Sequence, residues 1–237
     1  MTLRTFTLGM IASFGTAWLF AVVLPFYKTR DIQPVPYNEA LDGKTGVYFP
    51  KRTGQIVNGA KVYAQNGCYV CHTQVVRPTY AGNDLHRDGW GGFKTDPDRG
   101  DTRRETNVFD YQGESFAQIG TMRIGPDLSN VGSRFEKECL DINAAKKESL
   151  GTAWNDSMKV TPDALFYDHL YNPRKQLHMR WSTCPSFRFL FESNKSKDSQ
   201  PRPKPEARAL VSYLQSMKKN DALPASMNHA PPKPAEK

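Results

Sequence analysis

Two cysteines three residues apart with a histidine directly behind them, Cys68-Tyr69-Val70-Cys71-His72, constrain this chain more than anything else in it. A C-x-x-C-H stretch reads as covalent attachment of haem c. The two thiols add across the two vinyl groups of one porphyrin, and the adjacent histidine reaches the iron as proximal ligand. A zinc site would need a second ligand pair, and the remaining cysteines, Cys139 and Cys184, stand alone in the sequence. A thioredoxin-like redox pair would sit at a strand-to-helix turn of a βαβ unit, and no such pattern surrounds the motif. The motif occurs once, so one covalent haem c is expected, held by Cys68, Cys71 and His72.

A buried porphyrin supplies core that side chains do not, and the composition agrees with that economy. Only 38% of the 237 residues are hydrophobic, with 17 prolines and 17 glycines. The mean hydropathy is −0.62. The net charge of +8 raises the question of nucleic acid. Lys and Arg are spread along the chain rather than striped with aromatics, so no nucleic-acid partner is expected. A docking surface for a redox partner or solvated polarity accounts for the surplus better. A Cys139–Cys184 disulfide is one option in an oxidising compartment.

From Phe6 to Tyr27 the chain carries no charged side chain. As a helix this stretch spans about 33 Å, enough to cross a bilayer core. Tyr27, Lys28 and Arg30 follow as an interfacial anchor. A cleaved signal peptide would have a shorter apolar region and end in a small-x-small site. Val23-Leu24-Pro25-Phe26-Tyr27 is a poor one, so an uncleaved anchor is expected over residues 1–30. Flanking charge barely discriminates orientation. Thioether attachment in bacteria takes place outside the cytoplasmic membrane, which puts the remainder of the chain in the periplasm of a single-pass inner-membrane protein.

Residues 31–53, rich in Pro, Gly and Tyr, read as an extended connector, and 54–219 as one haem domain. Ile56, Gly59, Ala60 and Tyr63 recur at three- and four-residue spacing and predict a helix from near Thr53 into Gly67. Gly59 would permit a close helix crossing. Its partner is expected in a helix over Glu206–Lys219, introduced by Pro203 and Pro205, with Ala209, Leu210, Tyr213, Leu214 and Met217 on one face. Asp84–Gly113 reads as loop covering one haem edge, with a solvated insertion as the alternative. Phe135–Lys159 reads as a charged segment with a short helix around Ala144–Leu150. The tail 220–237 reads as disordered.

Gly125-Pro126-Asp127-Leu128 with Val131-Gly132-Ser133-Arg134 resembles the G-P-x-L…G-x-R segment of small class I cytochromes c. That resemblance implies a mainly α fold: one transmembrane helix plus a small class I cytochrome c-like haem domain with long loop insertions. It implies that the Pro126 carbonyl bonds the second nitrogen of His72, that Leu128 packs on the porphyrin, and that Arg134 lies near a propionate. A closer resemblance covers most of the chain and is to the membrane-anchored mono-haem subunit II of cbb3-type cytochrome c oxidases. It rests on the single anchor, Gly67–Pro78 with its Gln74-Val75-Val76-Arg77-Pro78 extension, Phe109-Asp110-Tyr111, Gly120–Leu128, and His169-Leu170-Tyr171-Asn172-Pro173-Arg174. The stretches 94–106 and 136–160 look longer than that family needs.

The resemblance implies an electron-transfer subunit, not itself catalytic, that relays electrons through its haem to a haem–copper oxidase subunit beside other cytochrome subunits in the membrane. Arg77 and Arg123 are candidates for propionate contact or subunit docking. The family places its distal methionine in a Ser-x-Met-Pro segment, whereas this chain has Ser182-Thr183-Cys184-Pro185. Met179, five residues earlier, and Cys184 compete for the sixth position, with His178 a third option. His86 and His169 read as surface or packing residues. Two other functions fit less of the chain: an anchored cytochrome of another respiratory complex such as a nitric oxide reductase, or a haem peroxidase or gas sensor with an open sixth site.

Overall fold

The computed structural model describes residues 2–31, 54–95, 100–111, 114–115, 117–175, 180–192 and 201–219. All but the first residue of the expected connector, the tail 220–237, and both His178 and Met179 lie outside the described residues. The chain divides into two units, Met1–Tyr48 and Phe49–Lys237.

The first unit carries helix α1 (Leu3–Trp18), a π turn (Leu19–Val23) and helix α2 (Leu24–Thr29). Together they make one helical stretch of 27 residues, with a mean hydropathy of 1.8 over an 18-residue window, long and apolar enough to cross a membrane. The stretch is longer than the uncharged run alone because Thr2 caps it, its hydroxyl accepting from the Thr5 amide. Pro25 has no N–H to give to the turn before it. The π turn sits just ahead of it, with the Leu24 amide reaching back to the Leu19 carbonyl, a form of ladder shift that commonly accommodates such a break. The hydroxyls of Thr7, Thr16 and Thr29 donate to the carbonyls of Leu3, Ala12 and Pro25, so these polar groups are satisfied within the helix.

The second unit is helical and, among its described residues, has no strand, only an isolated bridge between Phe191 and Pro203. Its helices are α3 (Gly54–Gln65), the single turn α4 (Cys68–Cys71), α5 (Val131–Leu150), α6 (Pro162–Tyr171) and α7 (Pro205–Ser216). The expected crossing of α3 and α7 is present. A Cβ on Gly59 would lie 2.0 Å from the Ala209 carbonyl oxygen and 2.7 Å from the Tyr213 Cβ. Only a glycine lets the two backbones approach this closely. Tyr63 and Tyr213 meet edge to face at 5.6 Å one turn further on. Val62, Leu128, Val131, Leu210, Val211, Leu214 and Met217 complete the buried cluster around the crossing.

One expectation needs correction. The short helix around Ala144–Leu150 is the end of a 20-residue helix that begins at Val131. Its many charges hide an inward stripe at four-residue spacing, with Val131 and Cys139 buried and Phe135 partly buried, and Phe135 stacks on Phe166 of α6 at 4.0 Å. Gly151, at φ +50°, ends it. The Asn143 side chain then clips the Val160 backbone through two hydrogen bonds of 2.9 and 2.8 Å, folding the following turns back on the helix. Of the two readings of the stretch that begins at Asp84, burial argues against the alternative, a solvated insertion. Asp84, Leu85, Trp90, Arg104 and Glu105 are all buried.

The crossing yields a test. Gly59→Val should lower unfolding stability by about 2–3 kcal/mol through overpacking, whereas Gly54→Ala, with open space around the new methyl, should change it by less than about 0.5 kcal/mol. Chemical denaturation followed by circular dichroism measures both, and a neutral Gly59→Val would refute the close crossing.

Candidate functional site

Helix α3 ends at Gln65, and Gly67, whose left-handed backbone has φ +67° and ψ 22°, turns the chain into α4. On that turn Cys68 and Cys71 stand at i and i+3 and present their thiols to the same side. The His72 amide donates to the Cys68 carbonyl at 3.0 Å, and His72 itself is extended, which ends the turn.

Residues 119–128 wrap this motif through a series of backbone bonds. The amide of Thr121 donates to Tyr69, that of Gly125 to Cys71, and that of Leu128 to Thr73, while the Gln74 amide donates to Ile119, all at 2.8–2.9 Å. Two glycines make the wrap fit. A Cβ on Gly120 would lie 2.2 Å from the His72 carbonyl oxygen, and one on Gly125 would lie 2.2 Å from the imidazole Cε1. Asp127, fully buried, locks the wrap: its carboxylate accepts from the Thr73 hydroxyl (2.6 Å) and from the amides of Val75 and Ser129 (both 2.8 Å).

The imidazole Nδ1 of His72 sits 2.8 Å from the Pro126 carbonyl oxygen. A carbonyl only accepts, so Nδ1 carries the proton and Nε2 keeps its lone pair. Burial lowers the imidazole pKa, outweighing the opposing effect of the carbonyl bond, and the ring is neutral at pH 7. The ring thus has a fixed tautomer with one nitrogen lone pair free, the form a metal ligand needs. Burial first, then the neighbouring Cys184 and Cys71, pushes the Cys68 thiol up to about 12. A redox C-x-x-C pair works with a depressed thiol pKa, so this environment is the reverse of that chemistry.

All four cysteines are free thiols, so Cys139 and Cys184 do not pair. Cys139 is buried on α5, while Cys184 lies near the motif, where burial and the proximity of Cys71 raise its thiol. Among the described residues, no three His, Cys, Asp or Glu side chains converge as ligands of a bare metal ion would. Leu128 is buried in the main cluster. Arg134 is inward and half-buried; one terminal nitrogen donates to the Asp127 carbonyl, while its Nε is buried with no hydrogen-bond partner. Burial lowers its pKa, against the pull of Asp127, Asp88 and Glu138.

Arg77 and Arg123 converge on one acid that sequence reasoning did not single out. Asp84 accepts from the Arg77 amide (2.8 Å), from Arg77 Nε and Nη2 (3.0 and 2.9 Å), and from both terminal nitrogens of Arg123 (2.8 Å each). Arg123 also donates to the Thr73 hydroxyl and the Val75 carbonyl, tying this cluster to the chain that leaves His72. Trp90 takes the guanidinium groups of Arg87 and Arg123 over its ring at 4.5 and 5.1 Å. A second cluster, likewise unforeseen, joins buried Arg104 and Lys219 to Asp110, at 2.8 Å from each. His86 is exposed and His169 half-buried on α6.

No protein-family model and no curated protein matches this chain.

Burial alone would raise the Asp84 carboxyl, but the hydrogen bonds from Arg77 and Arg123 outweigh it and hold it well below the usual carboxylate range. Asp110 behaves alike, burial being outweighed by Lys219 and Arg104. A carboxyl whose folded pKa lies below its unfolded value stabilises the fold above that unfolded value, near 4, and loses this as pH falls. Stability should therefore decline as pH drops below about 4. Asp84→Asn should flatten that decline and cost on the order of 3 kcal/mol at pH 7, because it leaves two arginines facing an amide. Denaturation midpoints measured from pH 2.5 to 8 check both effects; parallel wild-type and variant curves would rule the account out.

Proposed function

We propose that this chain is a membrane-anchored cytochrome c, the electron-transfer subunit of a cbb3-type terminal oxidase. The observation that carries the reading is the bond between His72 Nδ1 and the Pro126 carbonyl. It joins the C-x-x-C-H motif to the Gly125-Pro126-Asp127-Leu128 segment across 54 positions of sequence, and it leaves Nε2 as the sole ring nitrogen able to bind iron.

The residues present fit a covalently attached haem. Cys68 and Cys71 would hold it through thioether bonds and His72 would ligate the iron. Unpaired thiols on one face of a turn suit that attachment. Gly125 keeps the face of the imidazole free of a side chain, and Asp127 fixes the backbone whose carbonyl orients the ring. The buried Nε of Arg134 is an unmet donor suited to a carboxylate such as a propionate. A haem held there supplies a one-electron iron couple and no bond chemistry on a substrate. Arg77 is a weaker candidate for propionate contact, since Asp84 already engages its guanidinium.

The helix Leu3–Thr29 supports anchorage in a bacterial inner membrane, with the Cys68 side periplasmic, where haem is attached. A catalytic haem–copper subunit and further cytochrome subunits are the partners this reading requires.

Purification of the full chain in mild detergent tests the reading. We expect haem that stays with the polypeptide on a denaturing gel and is lost in Cys68→Ala/Cys71→Ala, together with co-purifying haem b and copper. Haem b with non-haem iron and no copper would instead indicate a nitric oxide reductase. A wild-type chain without covalent haem would overturn the proposal altogether.

A further inference from the structure

We infer that the sulfur of Cys184 is the distal ligand of the haem, opposite His72, in place of the methionine that the resembling family uses. This rests on the haem-binding reading above. Cys184 is one residue of an otherwise matching Ser-x-x-Pro frame, Ser182-Thr183-Cys184-Pro185, and the frame is held in place. The Ser182 hydroxyl accepts from the Cys184 amide at 3.2 Å. Pro185 restricts Cys184 to extended backbone.

Three residues on, the Phe187 amide donates to the Leu170 carbonyl of α6 at 2.8 Å. The Phe187 side chain packs on the buried cluster that Cys68 also packs against, and Leu190 and Phe191 belong to that cluster. Three residues span at most about 10 Å, so Cys184 is tethered to the wall that carries the attachment motif. Cys184 pushes up the Cys68 thiol and Cys71 pushes up that of Cys184, which reflects the same proximity.

Inside the protein the thiol has little else to do. Its hydrogen bond is a 3.5 Å contact to the adjacent Pro185 carbonyl. Cys184 is half-buried rather than sealed in the core, unlike Cys139. Soft sulfur suits haem iron. On binding ferric iron, the Cys184 S–H bond breaks, the Fe–S bond forms and the proton leaves to solvent. No electron is transferred in that step. A thiolate in place of a thioether lowers the haem potential.

The test uses the full chain carrying its haem, in detergent, with covalent haem scored on a denaturing gel for every variant. Wild-type ferric protein should give the low-spin electron paramagnetic resonance and absorption signature of thiolate ligation. Cys184→Ser should abolish that signature, turn the ferric iron high-spin and open the ferrous iron to carbon monoxide. Cys184→Met should restore a six-coordinate low-spin haem with the midpoint potential shifted upward, and Met179→Leu should leave the wild-type spectrum intact. The inference fails if Met179→Leu removes the sixth ligand while Cys184→Ser does not, or if neither changes the spectrum. Absence of covalent haem from the wild type would overturn the underlying reading, and this inference with it. Retained covalent haem with a spectrum indifferent to Cys184 would overturn this inference alone.

Discussion

The enclosure of the Cys68–His72 turn by residues 119–128 is the constraint on which the rest of the second unit depends. A one-turn helix is too short to hold itself in water, since nucleation costs more than one turn returns. Here its carbonyls are taken by amides from a segment about fifty residues away, and Asp127 bonds the chain that continues beyond His72. The same segment brings Pro126 to the imidazole. Backbone pairing, side-chain lock and imidazole orientation are therefore one structure, and glycine at 120 and 125 is its steric condition.

Two buried acids extend this frame outward, and magnitudes show why they can. Removing a carboxylate from water costs several kcal/mol even after relaxation. Asp84 recovers that through five hydrogen bonds, four of them from guanidinium groups, and charge-assisted bonds contribute roughly 1.5–3 kcal/mol each. The part due to Arg77 is smaller, because its side chain is 45% exposed and water screens it. Arg123 is the stronger member, being more buried and bonded to Thr73 and Val75 as well. Asp110 anchors the other flank, where Lys219 at the end of the described α7 region reaches it beside Arg104. Burial lowers the Lys219 ammonium to about 8 although Asp110 pulls the other way, so the pair is held at a real desolvation cost. Both clusters fasten the stretch from Asp84 to Tyr111 to the body.

What the sequence disclosed was what local pattern encodes. The spacing of Gly59 and Tyr63 against Ala209 and Tyr213 revealed the α3–α7 crossing, because small and aromatic residues at helical intervals mark a packed face. The apolar run revealed the N-terminal helix, and the Gly-Pro-Asp-Leu segment pointed to the partner of His72. Asp84 was illegible because its meaning lies in arginines at 77 and 123, and no local spacing announces a pairing over 39 positions. The length of α5 was obscured because only its first half is buried. Its second half is a solvated helix whose charges dilute the apolar stripe. Cys184 carried a signal, its place in a Ser-x-x-Pro frame, but its nearness to the motif comes from the packing of Phe187, Leu190 and Phe191, which no neighbouring residue reveals.

The placement of the arginines also changes what the net charge of +8 means. Arg77, Arg104 and Arg123 turn toward Asp84 and Asp110, so these three cations are engaged within the protein. Tyr69 and Val70, between the two cysteines, are 39% and 40% exposed, and Ile119, Met122 and Ile124 on the enclosing segment 46–58% exposed. The described surface beside the motif thus carries an apolar patch, and exposed cations such as Lys137 lie elsewhere on the chain. A positive field arising from there acts at a distance and is screened within about 8 Å at physiological salt, so it would influence the rate of encounter more than contacts beside the motif. The arginines thereby serve the internal frame that presents His72, and what they contribute at this site is rigidity rather than charge.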